Sequence, residues 1–202
     1  MGARGGTSGG GQRETAAGGV MRLRGQSVQL RPATLDDRRA VWEWMARSDL
    51  TASMMGPPEF TENPVPTWEQ FCEDYEPYFF DGSQPQLGRS FIIEHADDAV
   101  GHISYSQMDV RCSFAELDMW MRDSSCCGRG FGSEALRLLS DHLHEAFGIR
   151  EMILRPSARN LRAIRSYAKG GFARLDLSQE QHSQRYGAGE YHDTVLMQRL
   201  WP

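Results

Sequence analysis

Residues 124–136 read SSCCGRGFGSEAL. Gly128, Gly130 and Gly132 stand at alternate positions, just before a stretch in which Ala135, Leu139, Leu143 and Phe147 recur at helical spacing as far as Gly148. Glycines at a helix entrance let backbone N–H groups approach a bound anion, and the positive end of the helix dipole faces the same place, which suits a pyrophosphate. The dinucleotide-binding fingerprint would need glycine where Ser133 stands, and the Walker sequence would need lysine followed by serine or threonine. Neither applies. For the glycines alone, a tight structural turn is the competing reading.

The flanking sequence frames this turn. Upstream, RSFIIEH (89–95), AVGHISYSQM (99–108) and SFAELDMWM (113–121) are strand-like runs at meander spacing, expected to pair antiparallel. Before them come a short strand, SVQLR, from Ser27, a helix opened by Thr34-Leu35-Asp36-Asp37 and running to Arg47, and a second helix near 67–80 whose last turn Pro77 interrupts. Downstream, REMILRP (150–156) reads as a strand and Asn160 to Lys169 as a helix stopped by Gly170-Gly171. FARLD (172–176) and YHDTVLMQRL (191–200) follow as strands. The order predicts one mixed α/β domain over residues 27–202, built on a central sheet. Residues 1–26 hold nine glycines and almost no large apolar side chain, and are expected to form a disordered tail. Their Gly6-Thr7-Ser8-Gly9-Gly10 matches G-x-S-x-G formally but lacks the strand and helix that a serine-hydrolase elbow requires.

Composition narrows the class. The formal charge of −5 argues against a nucleic-acid or membrane-surface binder and favours small or cationic partners. No run approaches the roughly 20 apolar residues of a membrane span, and the first residues lack an apolar signal core, so a cytoplasmic location is expected. Cys72, Cys112, Cys126 and Cys127 are too few and too irregular for a disulfide framework and show no CxxC spacing. Adjacent Cys126 and Cys127 point apart, and His142 and His144 lack a ligand-spaced partner, so no metal site is expected.

A second segment, ILRPSARNLRAIRSYAKGGFARL from Ile153, supplies an independent match. Taken together, the Gly128–Gly132 turn and Asn160-x-Arg162-Ala163-Ile164-x-x-Tyr167-x-Lys169-x-Gly171-Phe172 resemble the GNAT superfamily of acyl-CoA-dependent N-acetyltransferases. Within it the chain is most similar to the aminoglycoside 6'-N-acetyltransferases and, through VQLRPATLDDRRAVWEWM, to the RimJ/RimL type. The resemblance implies the GNAT fold, a mostly antiparallel twisted sheet with helices on both faces, and acetyl-CoA as co-substrate without a metal. It implies that backbone N–H groups from Gly128 through Arg129, Gly130, Phe131 and Gly132 to Ser133 hold the coenzyme pyrophosphate, with Arg129 near its phosphates and Asn160 opening the second motif. Cys127 replaces the family's glutamine or arginine at the head of the turn.

Acetyl transfer to an amine needs a path for the amine's proton and a proton for the departing thiolate. Tyr167 matches the family tyrosine near the coenzyme sulfur, and its phenol is the expected acid. Glu116 and Asp118 share one face of a strand with Phe114 and Trp120, and two carboxylates are costly on a face turned to a dry core. Resemblance to the aminoglycoside group points to Asp118 as the base, with Glu116, matched to the RimJ/RimL pattern, as second choice. Residues 36–81 hold eleven acids against three bases, which suits a polycationic acceptor of aminoglycoside or polyamine type, although a solvated acidic surface would give the same count. Arg155-Pro156, where the aminoglycoside group has Asp-Pro, reverses a charge beside the cleft, which would either disfavour a polycation or admit an acceptor with its own carboxylate, such as an amino acid or a peptide. Acetylation of protein N-termini and acyl-CoA binding without turnover are the alternative functions. A homodimer is compatible with the resemblance.

Overall fold

The computed structural model describes residues 21–109 and 114–201. Eight strands form one sheet: β1 (Leu23–Arg24), β2 (Gln29–Pro32), β3 (Gly88–His95), β4 (Asp98–Asp109), β5 (Phe114–Met121), β6 (Glu151–Leu154), β7 (Ala173–Leu175) and β8 (Leu196–Leu200). Their spatial order is β1-β2-β3-β4-β5-β6-β8-β7. Every neighbouring pair is antiparallel except β5 and β6.

That parallel pair places the site. Its register runs Phe114 to Glu151, Ala115 to Met152 and Glu116 to Ile153, and stops there, although β5 continues to Met121. The backbone opens beyond Glu116, and Asp118 is the next residue on that face.

Alternation along β5 sorts its side chains. Ala115, Leu117, Met119 and Met121 are buried on one face, against helices α4 (Phe131–Phe147) and α5 (Leu161–Lys169). Trp120 points to the other face, where α1 (Arg38–Arg47), α2 (Trp68–Asp74) and α3 (Tyr78–Asp81) build a second core with Val41, Trp42, Phe71 and Phe80. In α4, Ala135, Leu136, Leu139 and Leu143 are fully buried, each leucine contributing about 1.5–3 kcal/mol by leaving water. Gly130 and Gly148, both left-handed, begin and end this helix.

Three differences from the sequence reading have physical causes. The expected 67–80 helix is two helices, because Pro77 has no N–H to continue the first and instead stands before α3, leaving Tyr75 as the C-cap of α2. An additional helix, α6 (Gln179–Tyr186), is opened by a reciprocal Ser178–Gln181 capping box. Its sequence is so polar that, among its described side chains, only His182 and Tyr186 are buried, so no apolar stripe announced it. The expected tail falls outside the described residues for 1–20, and its last part is folded instead: Leu23 is buried in β1 and Arg22 pairs with Glu94. Of the four cysteines, Cys112 lies outside the described residues, and Cys72, Cys126 and Cys127 are free thiols. Among the described residues no helix is long and apolar enough to cross a membrane.

Candidate active site

Two cavities meet where β5 and β6 part. The first, of about 320 Å³, lies along the entrance of α4 and the length of α5, lined by Cys127, Gly128, Gly130, Phe131, Gly132 and Ser133. Gly128 and Gly130 have φ of +73° and +86°, and a Cβ on either would project into open space. Side-chain-free backbone therefore faces the cavity, and the first turn of α4 has N–H groups without helical acceptors. Gly132 serves packing instead: a Cβ there would stand 2.9 Å from the Met119 methyl. Arg162, Arg165 and Lys169 of α5 add three cations to the lining, which holds no carboxylate among the described residues. An elongated polyanion fits this groove by charge and by shape.

The remaining turn residues have mixed roles. Ser133 is buried and donates to the Ser166 carbonyl at 2.9 Å, tying α4 to α5. Phe131 is core, packed on the His95 ring. Arg129 does not line the cavity; its guanidinium stacks over Phe131 at 4.6 Å. The half-buried Cys127 thiol is pushed above its ordinary pKa by burial, and so stays a neutral thiol at the head of the cradle. Asn160 caps α5, its side-chain oxygen accepting from the Ala163 N–H at 3.1 Å.

The second cavity, of about 370 Å³, opens on the opposite sheet face. Its charge is inverted: Asp74, Glu116, Asp118 and Glu190 line it, with Arg155 the one cation among the described residues. Asp118 is open to the cavity yet hemmed in by protein, and this loss of water raises its carboxyl above the ordinary range. Two donors oppose the rise, the Tyr75 hydroxyl to Oδ2 and the Met119 N–H to Oδ1, each at 2.8 Å. Tyr75 is held in turn by rings, edge-on to His102 and to Trp120 at 5.8 Å. Glu116 has a different environment. Arg155 grips both its oxygens, at 2.7 and 2.6 Å, with both side chains nearly buried. Burial raises the Glu116 carboxyl as well, against the guanidinium's pull.

Met54, Met119, Asn160 and Tyr167 line both cavities. Tyr167 is buried, and burial followed by the nearby Asp118 charge raises its phenol well above the ordinary value, so it carries its proton. Of the expected pair, Tyr167 lines both the cationic and the anionic cavity, and Asp118 lines the anionic one.

The sequence reading missed three features. Tyr75 is positioned by the break that Pro77 imposes, which was visible as a helix interruption but not as a site signal. Arg162, Arg165 and Lys169 follow from helical spacing within the second motif. Glu190 lies between the runs read as strands, in the connection after α6, and no local pattern marks it.

The acetyltransferase (GNAT) domain family matches residues 27–173. The chain belongs to this family. As a GNAT protein it is an acetyl-CoA-dependent N-acetyltransferase. Type 1 aminoglycoside N(6')-acetyltransferases from Klebsiella pneumoniae and Serratia marcescens are each 26% identical to it over 156 residues, 73% of this chain and 75% of the relative. Among solved structures, AAC(6')-Ib in complex with paromomycin and acetyl-CoA matches with a TM-score of 0.65 at 22% identity, over 87% of this chain and 94% of the other. Spermidine N-acetyltransferase from Vibrio cholerae, in complex with CoA and spermine, matches with a TM-score of 0.64 at 18% identity, over 86% and 95%. These structures share the fold of this GNAT chain.

Proposed function

We propose that the protein transfers an acetyl group from acetyl-CoA to a primary amine of a small cationic substrate, by direct attack in a ternary complex. The observation that carries this reading is the junction itself: a cavity lined by three cations and an N–H cradle meets a cavity lined by carboxylates, with Tyr167 on both. The cradle from Gly128 to Ser133 receives the pyrophosphate, and the acceptor enters the acidic side. There the neutral amine attacks the thioester carbonyl. Asp118 takes the proton the amine nitrogen loses, and its raised carboxyl makes it a stronger base than an exposed aspartate. As the C–S bond breaks, the Tyr167 hydroxyl supplies a proton to the thiolate. Glu116 is the poorer base because Arg155 occupies both its oxygens. The same ion pair removes the objection that Arg155 raises to a cationic acceptor, since its charge is already matched.

Release of free CoA, measured against aminoglycosides, polyamines, amino acids and peptides, tests the reading. Asp118→Asn and Tyr167→Phe are each expected to lower turnover by about 10²–10⁴-fold, the usual range for lost acid or base catalysis. Unchanged CoA release in both variants defeats the assigned roles, and preferential turnover of peptides would favour N-terminal acetylation.

A further inference from the structure

The connection that follows α6 forms one wall of the acidic cavity, and its position is fixed from two sides. Tyr186, at the end of α6, is buried, and its hydroxyl donates to the buried Glu151 carboxylate of β6. Arg155 then reaches the next turn: besides gripping Glu116, it donates through Nη1 to the carbonyls of Gly187 at 3.2 Å and Ala188 at 2.8 Å. Two residues further on, Glu190 lines the cavity. The guanidinium therefore links the sheet to the wall, and its charge is satisfied by Glu116 rather than by Glu190. Glu190 keeps an exposed flank. Burial on its cavity side, with Asp118 and Glu116 close enough to repel it, raises its carboxyl to about 7 against the opposing pull of Arg155. An acid so placed gains from any cation brought beside it.

Building on the amine-acceptor reading of this cavity, we propose that Glu190 is a specificity-determining residue that binds a second ammonium group of the acceptor, and that Arg155 is its positioning residue. Asp118 then faces the reacting nitrogen while Glu190 holds the other end, so diamines are selected over monoamines of the same length. Nothing about the donor cavity enters this selection.

Calorimetric binding to the CoA-loaded protein at pH 8 tests it, using α,ω-diamines of four to eight carbons against the matching monoamines. The wild-type protein is expected to favour at least one diamine by tenfold or more, and Glu190→Gln to reduce that preference about tenfold. The paired variant E116Q/R155M removes the clamp without stranding a buried charge. It is expected to reduce the preference as Glu190→Gln does, and adding Glu190→Gln to it is expected to cause no further loss. A wild-type protein without diamine preference, or a Glu190→Gln variant that keeps it, overturns the role of Glu190. Additive losses, or a preference that survives in E116Q/R155M, overturn the role of Arg155. Diamine preference without CoA release from any amine would overturn the acetyl-transfer reading and leave this one standing.

Discussion

The Tyr75 hydroxyl donates to Oδ2 of Asp118 across 2.8 Å, joining the end of α2 to the middle of β5. The bond favours the charged carboxylate and holds down a pKa that burial would raise further. Tyr75→Phe therefore moves the carboxyl upward. With Asp118 as the base, the acid limb of the pH–rate profile shifts toward higher pH by about one unit, so that turnover on that limb falls about tenfold and recovers at high pH. Rate profiles of the two proteins check this, and an unmoved limb would separate Tyr75 from the base.

The Glu116–Arg155 pair predicts a different failure. Both side chains are nearly buried, so Glu116→Gln leaves the guanidinium charge short of its main partner. Breaking such a pair costs about 3–5 kcal/mol, and the backbone carbonyls that Arg155 also holds temper this toward the lower end. Thermal or denaturant unfolding should show the loss. The acid limb of the rate profile should remain where Asp118 sets it.

How far the sequence spoke depends on the range of the signal. Parity along β5 put Glu116, Asp118 and Trp120 on one face, and the structure keeps them there. Alternation is local, so four residues suffice to read it. The glycine turn and α5 were legible for the same reason. The division of labour between the two carboxylates was not, because it is set by Arg155 from β6's exit and Tyr75 from α2, 39 and 43 positions away. Helix α6 escaped because its burial rests on two side chains, and β1 because its two residues follow a glycine-rich run.

Gly130→Ala separates cradle chemistry from helix strain. With φ at +86°, an alanine there is strained by about 1–2 kcal/mol, and its methyl projects into the space where the pyrophosphate is proposed to lie. Gly148 supplies the control: its φ is +69° and a Cβ there also meets nothing, but it ends α4 away from both cavities. Both variants should lose comparable stability, while only Gly130→Ala raises the KM for acetyl-CoA, by about tenfold or more. Equal KM values would remove the anion from the cradle.

His102 makes the acid side of the stability curve predictable. Its ring is fully buried, with Nε2 3.0 Å from the Ser90 hydroxyl and Nδ1 without a partner among the described residues. Trp120 and Tyr75 cover its faces and edges, and Asp37 exerts the one opposing charge effect. Burial lowers its pKa to about 3, against 6.5 for the free side chain. The unfolded chain consequently binds a proton below about pH 6.5 that the folded chain refuses. Stability is then lost as the pH falls from about 6.5 toward 3, with a limiting slope of about 1.4 kcal/mol per pH unit. In His102→Leu that contribution disappears, so although the variant is less well packed at pH 8, its denaturant midpoint should fall less between pH 6.5 and pH 4.5 than that of the wild-type protein. Parallel curves for the two proteins would mean that His102 titrates alike in the folded and unfolded states.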